Sequence, residues 1–182
     1  TYRLFKKFFK NLKAEKLTNI YEIFEKPLIK ILSLMEIEGI KINEVFLKKL
    51  SDKFQNKIDK LEKDIFKISK KSFKIGSTKQ LGEIMYNELK ISTLKKTKKG
   101  SFATSASVLE DLAFKGHLLP KYVLEWRQLS KLKNTYSDTL PEHINPKTNR
   151  VHTSFLLAAT STGRLASSDP NLQNIPIKTN DG

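Results

Sequence analysis

A stripe of apolar residues with helical spacing runs through the middle of this chain and limits the folds it can adopt. Its members are three or four residues apart over about six turns, a heptad-like pattern that predicts a long helix with one buried face. Asn43 precedes the stripe and is a suitable N-cap. The stripe consists of Leu47, Leu50, Phe54, Ile58, Leu61, Ile65 and Ile68.

A second apolar stripe comes just before the first. Residues 27–38 carry Leu28, Ile31, Leu32 and Met35 at helical spacing, and Gly39 predicts the end of that helix. Two helices joined by a short turn favour an antiparallel arrangement. We therefore expect these two helices to pack against each other as a long pair.

Shorter helices are predicted after the pair. Ser77 and Gln80 have the spacing of a capping box, Thr104 or Ser105 can cap a further helix, and Pro120 suits the first turn of a longer one. The turn residues of INPKTNRVHTSF lie between short β-prone runs and predict a hairpin. The predicted fold is mainly α with a small β part: a helical subdomain that leads into an incomplete α+β domain.

The chain is strongly basic, and the charge is uneven. Its 182 residues have 34 Lys and Arg against 19 Asp and Glu, and residues 1–100 hold 25 of the basic and 12 of the acidic ones. The lysines could be the solvated outer face of the helices, which is their default place. The excess also predicts attraction to a polyanion, either nucleic acid or an anionic membrane surface.

Several kinds of site are excluded by the residues present. There is no cysteine, no phosphate-binding glycine loop and no apolar run of membrane-spanning length. His117, His143 and His152 lie far apart without metal-ligand spacing. The chain starts without methionine and stops at Asn180-Asp181-Gly182, so we expect it to be a fragment of a larger protein.

The stretch TSTGRLASSDPNLQNIPI, residues 160–177, predicts neither helix nor strand. It resembles the loop before the first catalytic-carboxylate motif of family A DNA polymerases, the bacterial DNA polymerase I family, where TGRLSSxDPNLQNIP is common; Ala166 departs from the usual serine. Upstream segments resemble the same family in the same order: IFEKPLIKILSLMEIEGIKIN, FKIGSTKQL, LKKTKKGSFATSASVLEDLA, LEWRQLSKLKNTYSDTLP and INPKTNRVHTSF.

This resemblance implies a domain organisation and an activity. Residues 1–20 would be the last helix of a preceding 3′–5′ exonuclease-like domain, residues 21–140 the thumb, and residues 141–182 the start of the palm. The parent protein would be a DNA-directed DNA polymerase, a monomeric bacterial cytoplasmic enzyme with no membrane contact. It would use primer–template DNA, deoxynucleotide triphosphates and Mg²⁺, whose ligands would lie downstream of Gly182, so this segment alone would be inactive.

The resemblance also implies DNA contacts by two groups of residues. Phosphate contacts, which position duplex without reading its sequence, would come from the thumb: Ser77, Thr78, Lys96, Thr104, Ser105, Arg127, Lys131, Thr135 and Tyr136. Minor-groove donors near the primer end would be Arg164, Asn171, Gln173 and Asn174. Gly76 stands where the family often has Asn, which puts one contact in doubt.

Alternatives remain open for these residues. Ser77, Thr104 and Ser105 could be only helix caps, and the amides of the loop could serve only turns. Asp169 is expected to cap a turn or pair within the loop. The competing class of function is a non-catalytic basic helical module that binds nucleic acid, for which the loop at 160–177 would have no evident use.

Overall fold

The computed structural model describes residues 1–91 and 102–176, and the chain divides into two compact units. One unit contains Thr1–Ile42 together with residues from Leu140 onward, and the other contains Asn43–Thr139. Residues 21–42, which were expected to belong with the long helix, thus group with the segment after Leu140. We call these the split unit and the helical unit.

The helical unit is built on a long antiparallel helix pair. Helix α4, Glu44–Ser69, begins at Asn43, whose side-chain oxygen accepts a hydrogen bond from the Phe46 N–H at 3.0 Å. Its partner is α7, Leu118–Leu132, and not the preceding helix α3, Lys26–Glu38, so the predicted partner was wrong. The stripe residues Phe54, Ile58 and Leu61 pack with Leu129 and Leu132.

Two polar contacts fix the direction of α7 along α4. Ser51 Oγ donates to Asp138 Oδ1 at 2.5 Å near the start of α4, and Trp126 Nε1 donates to Glu62 Oε1 at 2.9 Å farther along. Residues later in α4 therefore lie beside residues earlier in α7, as in an antiparallel pair.

A second core fills the other end of the helical unit. The fully buried Ile65 of α4 packs there with residues of α5, Thr78–Gly82, its π-helical extension Glu83–Glu88, α6, Ala106–Phe114, and α7. A further π-helical turn, Lys133–Asp138, follows α7 and leads into α8, Thr139–Glu142. Pro141 lies inside this last turn.

Only one of the two hydrogen bonds of the predicted capping box at α5 is present. The Gln80 N–H donates to Ser77 Oγ at 3.4 Å, as expected of a cap. The Gln80 side chain does not return to Ser77 but accepts from the Lys74 N–H at 2.7 Å. The Ser77 N–H is bonded instead to the Lys74 carbonyl, which leaves the glutamine free to hold the preceding turn.

The helical part of the split unit comes first in the chain. It contains α1, Tyr2–Ala14, α2, Thr18–Ile20, a π-helical turn at Tyr21–Glu25, and α3. Helix α3 ends at Gly39, as predicted, with a backbone φ of +65° that favours glycine. A Cβ there would lie 2.7 Å from the His152 ring, so the position also lacks room for a side chain.

Two small antiparallel sheets complete the split unit. Strands β1, Ile144–Asn145, and β2, Arg150–Val151, form the predicted hairpin, and Val151 also bridges to Ile40. Strands β3, Ser154–Leu156, and β4, Ala166–Ser168, pair in register Phe155 with Ser167. The expectation that 160–177 contains no strand was therefore wrong, because three of its residues add an edge to β3.

Candidate nucleic-acid interface

The sequence-predicted phosphate contacts of the helical unit occupy helix starts and one face of α7. Thr78 is exposed in the first turn of α5, whereas the hydroxyl of Ser77 is engaged by its own helix. Ser105 lies at the N-cap of α6, but its hydroxyl contacts Ser107 Oγ at 3.1 Å and bonds no backbone N–H of that helix. Lys96 falls outside the described residues.

Thr104 does not present its side chain to solvent. It is 5% exposed, so the fold covers most of the side chain, and its phosphate contact stays a prediction. Its carbonyl accepts a hydrogen bond from Arg127 Nη1 at 2.7 Å. Thr104 therefore acts through its backbone, as an anchor for the arginine.

Arg127 joins α7 to the residue before the cap of α6. The guanidinium is half-buried, and this desolvation lowers its pKa from the ordinary value, although arginine keeps its charge in proteins. Only Nη1 is used by Thr104, and a guanidinium has five N–H donors. The arrangement holds a fixed cation with donors to spare at the junction of two helices.

Lys131 and Thr135 continue the line from Arg127. Both are exposed, and each follows the previous member by four residues, so the three lie along one side of α7 and its π-helical turn. Tyr136 differs, because its ring packs against the core of Phe54 and Leu132 and is only partly exposed.

In the split unit, buried hydroxyls shape the segment that follows β4. Thr153 is 5% exposed, and its Oγ1 lies 2.9 Å from the Ser168 carbonyl and 2.7 Å from the Pro170 carbonyl, so one donor ties down both. Ser167 is 3% exposed, and its Oγ accepts from the Leu172 N–H at 3.0 Å. These two residues set the backbone path of residues 168–172.

The predicted minor-groove donors lie on this supported segment. Asn171 uses its side-chain oxygen internally, to accept from the Gln173 N–H at 3.0 Å, which directs its amide nitrogen to other partners. The side chains of Asn171, Gln173 and Asn174 are exposed. Asp169, expected to cap or pair within the loop, makes no hydrogen bond or ion pair among the described residues.

Arg164 is exposed at the tip of the connection between β3 and β4. Its carbonyl accepts from Thr160 Oγ1 at 2.9 Å, and the preceding Gly163 has a φ of +69°. The backbone around the arginine is therefore fixed while its guanidinium has no partner among residues 1–91 and 102–176.

The sequence did not reveal the contacts that join α3 to this segment. His152 Nδ1 donates to the Glu36 carbonyl at 2.8 Å, and the Phe155 N–H donates to Glu36 Oε1 at 2.6 Å. With Nδ1 as the donor, a neutral His152 ring accepts at Nε2 from Thr148 Oγ1, 2.7 Å away. His152 is thus a structural residue, and its partner Glu36 is more than 100 residues away in the chain.

Two negative findings limit the chemistry of the described residues. In the described ranges, no three His, Cys, Asp or Glu side chains come together to form a metal site. No helix in that part of the chain is long and apolar enough to cross a membrane. The residues present therefore offer cations, hydroxyls and amides, which are groups that bind an anionic backbone or base edges.

Comparison with known proteins gives consistent matches. The family model described as DNA polymerase family A matches residues 44–182. The chain is 47% identical over 171 residues to the DNA polymerase I of Rhizobium leguminosarum, covering 94% of this chain and 17% of the relative. It is 43% identical over 179 residues to the thermostable DNA polymerase I of Thermus thermophilus, covering 97% of this chain and 21% of the relative.

A solved structure agrees with the sequence matches. The POL domain of Pol1 from M. smegmatis, in complex with DNA primer-template and dNTP, superposes with a TM-score of 0.84 at 33% identity, covering 94% of this chain and 30% of that one. The chain spans about a fifth of the length of the curated relatives it matches. It belongs to DNA polymerase family A.

Proposed function

We propose that this chain is the primer–template-gripping part of a DNA-directed DNA polymerase of the DNA polymerase I type. Family membership supports the activity of the parent protein, and the solved neighbour holds a DNA primer-template. The observation that carries the proposal is the exposure of Arg164 before β4 and of Asn171 and Gln173 after it. Thr160 holds the backbone at Arg164, and Thr153 and Ser167 hold the backbone that leads to the two amides.

The minor groove explains why such donors suit a polymerase. Every base pair shows acceptors there, with few differences between sequences. An arginine fork and amides aimed at these acceptors contact each correct pair alike and report on shape rather than sequence. Because internal hydrogen bonds already set the backbone of this segment, little ordering is needed when duplex binds.

The helical unit supplies the complementary, sequence-independent grip. Thr78, Ser105, Arg127, Lys131 and Thr135 would face phosphates, with Ser77 and Thr104 supporting the backbone beside them. The resemblance adds Tyr136, Asn174 and Lys96 to the DNA-contacting set. By the same resemblance, residues 1–20 would be an exonuclease-like tail, residues 21–140 the thumb and residues 141–182 the start of the palm. Residues 21–42 nevertheless group with the segment after Leu140 in this structure.

The metal chemistry would be supplied elsewhere in the parent protein. Family A enzymes are expected to use Mg²⁺ with deoxynucleotide triphosphates, and the described residues do not fit a Mg²⁺ site because they hold no acidic ligand cluster. This chain would therefore hold and orient DNA without taking part in the metal-dependent step. We expect the parent to be a monomer of the bacterial cytoplasm.

Replacement of Arg164 tests the proposal. In the parent enzyme, Arg164→Ala should lower primer extension at saturating DNA, and its preference for a matched primer end, about tenfold or more. Its Kd for duplex should change less, since phosphate contacts carry most of the affinity. Arg3→Ala, an exposed arginine on α1, is the matched control.

The opposite result would refute the minor-groove role. If Arg164→Ala weakened DNA binding while extension at saturation stayed normal, the arginine would be only an electrostatic contact. If the chain bound duplex with no salt dependence, the phosphate contacts would also be wrong. Normal extension and normal primer-end preference in both variants would show that Arg164 has no role at the primer end.

A further inference from the structure

The outer face of α4 carries five lysines that no feature of the fold explains. Helix α4 turns 100° per residue, and the five lie within a sector of about 80° opposite the face that packs on α7. All are exposed. We call them the lysine stripe: Lys49, Lys53, Lys60, Lys63 and Lys67.

The stripe is not neutralised by the protein itself. None of the five lysines makes an ion pair or hydrogen bond within residues 1–91 and 102–176. The nearest carboxylates, Asp52 and Asp64, lie at the margins of the sector, and Asp59, farther round the helix, is engaged by Gln55 Nε2 at 2.7 Å. The charge of the stripe is therefore available to an external partner.

The spacing within the stripe is unfavourable for a helix surrounded only by water. Lys49 and Lys53 are four residues apart, as are Lys63 and Lys67, and like charges at this spacing destabilise a helix. Asp59 and Asp64 offset only part of this repulsion, since each lies three or four residues from a lysine of the stripe. A polyanion bound along the face would relieve this repulsion.

The dimensions of the stripe suit a nucleic-acid backbone. From Lys49 to Lys67 the helix rises about 27 Å, and duplex DNA carries a negative charge every 1.7 Å or so of its axis. A shallow groove of about 500 Å³ runs along part of the face, lined by Lys49, Lys53 and Lys60 with Asp52, Asn56 and Lys57. Duplex DNA is already the partner in the proposed function, and its phosphates carry the negative charge that the lysines would bind.

We propose that the lysine stripe is a second, purely electrostatic DNA-binding surface, separate from the proposed phosphate contacts of α7 and from the proposed minor-groove contacts around β4. It would hold phosphates of a different stretch of duplex from the one held by Arg127 and Lys131, because it faces away from α7. The inference rests on the proposed function for the identity of its partner. It would add affinity and no sequence preference.

Charge-matched variants of the full 182-residue chain test the stripe. The stripe variant changes all five lysines to glutamine, which keeps helix propensity. The control variant makes five Lys→Gln changes at exposed lysines of the split unit that also lack ion pairs among the described residues: Lys7, Lys10, Lys16, Lys30 and Lys41. Both variants lose the same net charge, and circular dichroism checks that both are folded.

The measurement is the affinity for duplex of about 30 base pairs over a range of salt concentrations. Against the control, the stripe variant should lose about tenfold in affinity at low salt. Its log–log salt slope should be smaller by up to about 4.5, since each of the five phosphate contacts accounts for roughly 0.9 of the slope. The same titration with vesicles containing phosphatidylserine asks whether an anionic membrane is the true partner.

The possible results separate this inference from the proposed function. Equal losses of DNA affinity in the two variants, with a steep salt dependence in the wild type, would refute the lysine stripe as a DNA-binding surface. The proposed primer-end contacts would not be affected by that result. A stripe variant that lost vesicle binding and kept DNA binding would also refute it. A wild-type chain whose DNA affinity ignored salt would overturn both proposals.

Discussion

The helical unit and the segment from Leu140 onward are stabilised in different ways. Of the twenty buried hydrophobic residues in the described part of the chain, seventeen lie between Asn43 and Thr139, and only Leu140 and Val151 lie after them. The later segment is ordered instead by single hydroxyls and by a histidine that bond backbone carbonyls. One region relies on interlocked apolar side chains, and the other relies on individual hydrogen bonds.

This difference suits the work proposed for each region. A packed core spreads its stabilisation over many contacts, so the surface of the helical unit can change its charges with little effect on the fold. The segment after Leu140 has few buried apolar residues. Its polar side chains face outward, and buried hydroxyl groups hold its backbone by hydrogen bonds. The following experiments challenge or refine this contrast.

The largest effect is expected in the helical core. Ile65→Ala removes a fully buried side chain of α4 and should reduce the free energy of unfolding by about 2–5 kcal/mol, through lost burial and a residual cavity. Denaturant titration measures it. Val45→Ala, exposed on the same helix, should change stability by no more than about 0.5 kcal/mol. Similar losses in both would mean that α4 does not have the buried face described.

A smaller effect on stability, but a specific effect on function, is expected at Thr153. Thr153→Val keeps the shape of the side chain but leaves the Ser168 and Pro170 carbonyls without their donor, and should cost about 1–3 kcal/mol. Because the same bonds set the path to Asn171, primer extension by the parent enzyme should fall at temperatures where the fold is intact. Ser161→Ala, exposed in the same connection, is the control. If Thr153→Val lowered stability but left extension unchanged, the two hydrogen bonds of Thr153 would stabilise the fold without positioning Asn171 for primer extension.

The smallest effect is a dependence of stability on pH at Asp138. Burial favours a raised pKa, but hydrogen bonds from Lys133 and Ser51 and the charge of Lys133 outweigh it and hold the pKa below the ordinary value. A lowered folded-state pKa stabilises the fold above the unfolded pKa of about 3.9, and this stabilisation disappears as the pH falls through the folded value.

Asp138→Asn should therefore be less stable than the wild type at neutral pH, and the difference should shrink as the pH falls below about 4. Thermal unfolding of both proteins from pH 3 to 7 measures it, with Asp52→Asn, exposed on α4, as the control. A difference that stayed constant over this range would mean that the carboxylate of Asp138 is not stabilised by Lys133.

The sequence predicted local structure better than contacts between distant residues. The Asn43 cap, the end of α3 at Gly39 and the hairpin of β1 and β2 were correct, because each depends on a few neighbouring residues. The stripe of α4 shows which face is buried but not what covers it, so α3 was predicted where α7 packs. Strand β4 was missed because its residues, Ala166–Ser168, have low strand propensity and are held by pairing with β3.

The same limit applies to the candidate site. Arg164 and the amides could be proposed from the sequence because their motif is short and continuous. The supports could not, since Thr153 contacts residues 15 and 17 positions away and Glu36 contacts Phe155 across 119 positions. Thr104 and Gln80 show the converse, because both have side chains suited to capping a helix but neither caps one as predicted. Thr104 is buried, and the Gln80 side chain accepts from the Lys74 N–H instead.

The route of the chain between the two units has a consequence for how such a protein can vary. The chain leaves the split unit after Ile42 and returns at Leu140, so residues 43–139 form an insertion within it. The split unit joins its own two parts, through the paired hydrogen bonds of Ile40 with Val151 and the contacts of Glu36 with His152 and Phe155. A change in the length or charge of the inserted helices therefore leaves intact the contacts that set the register of the split unit.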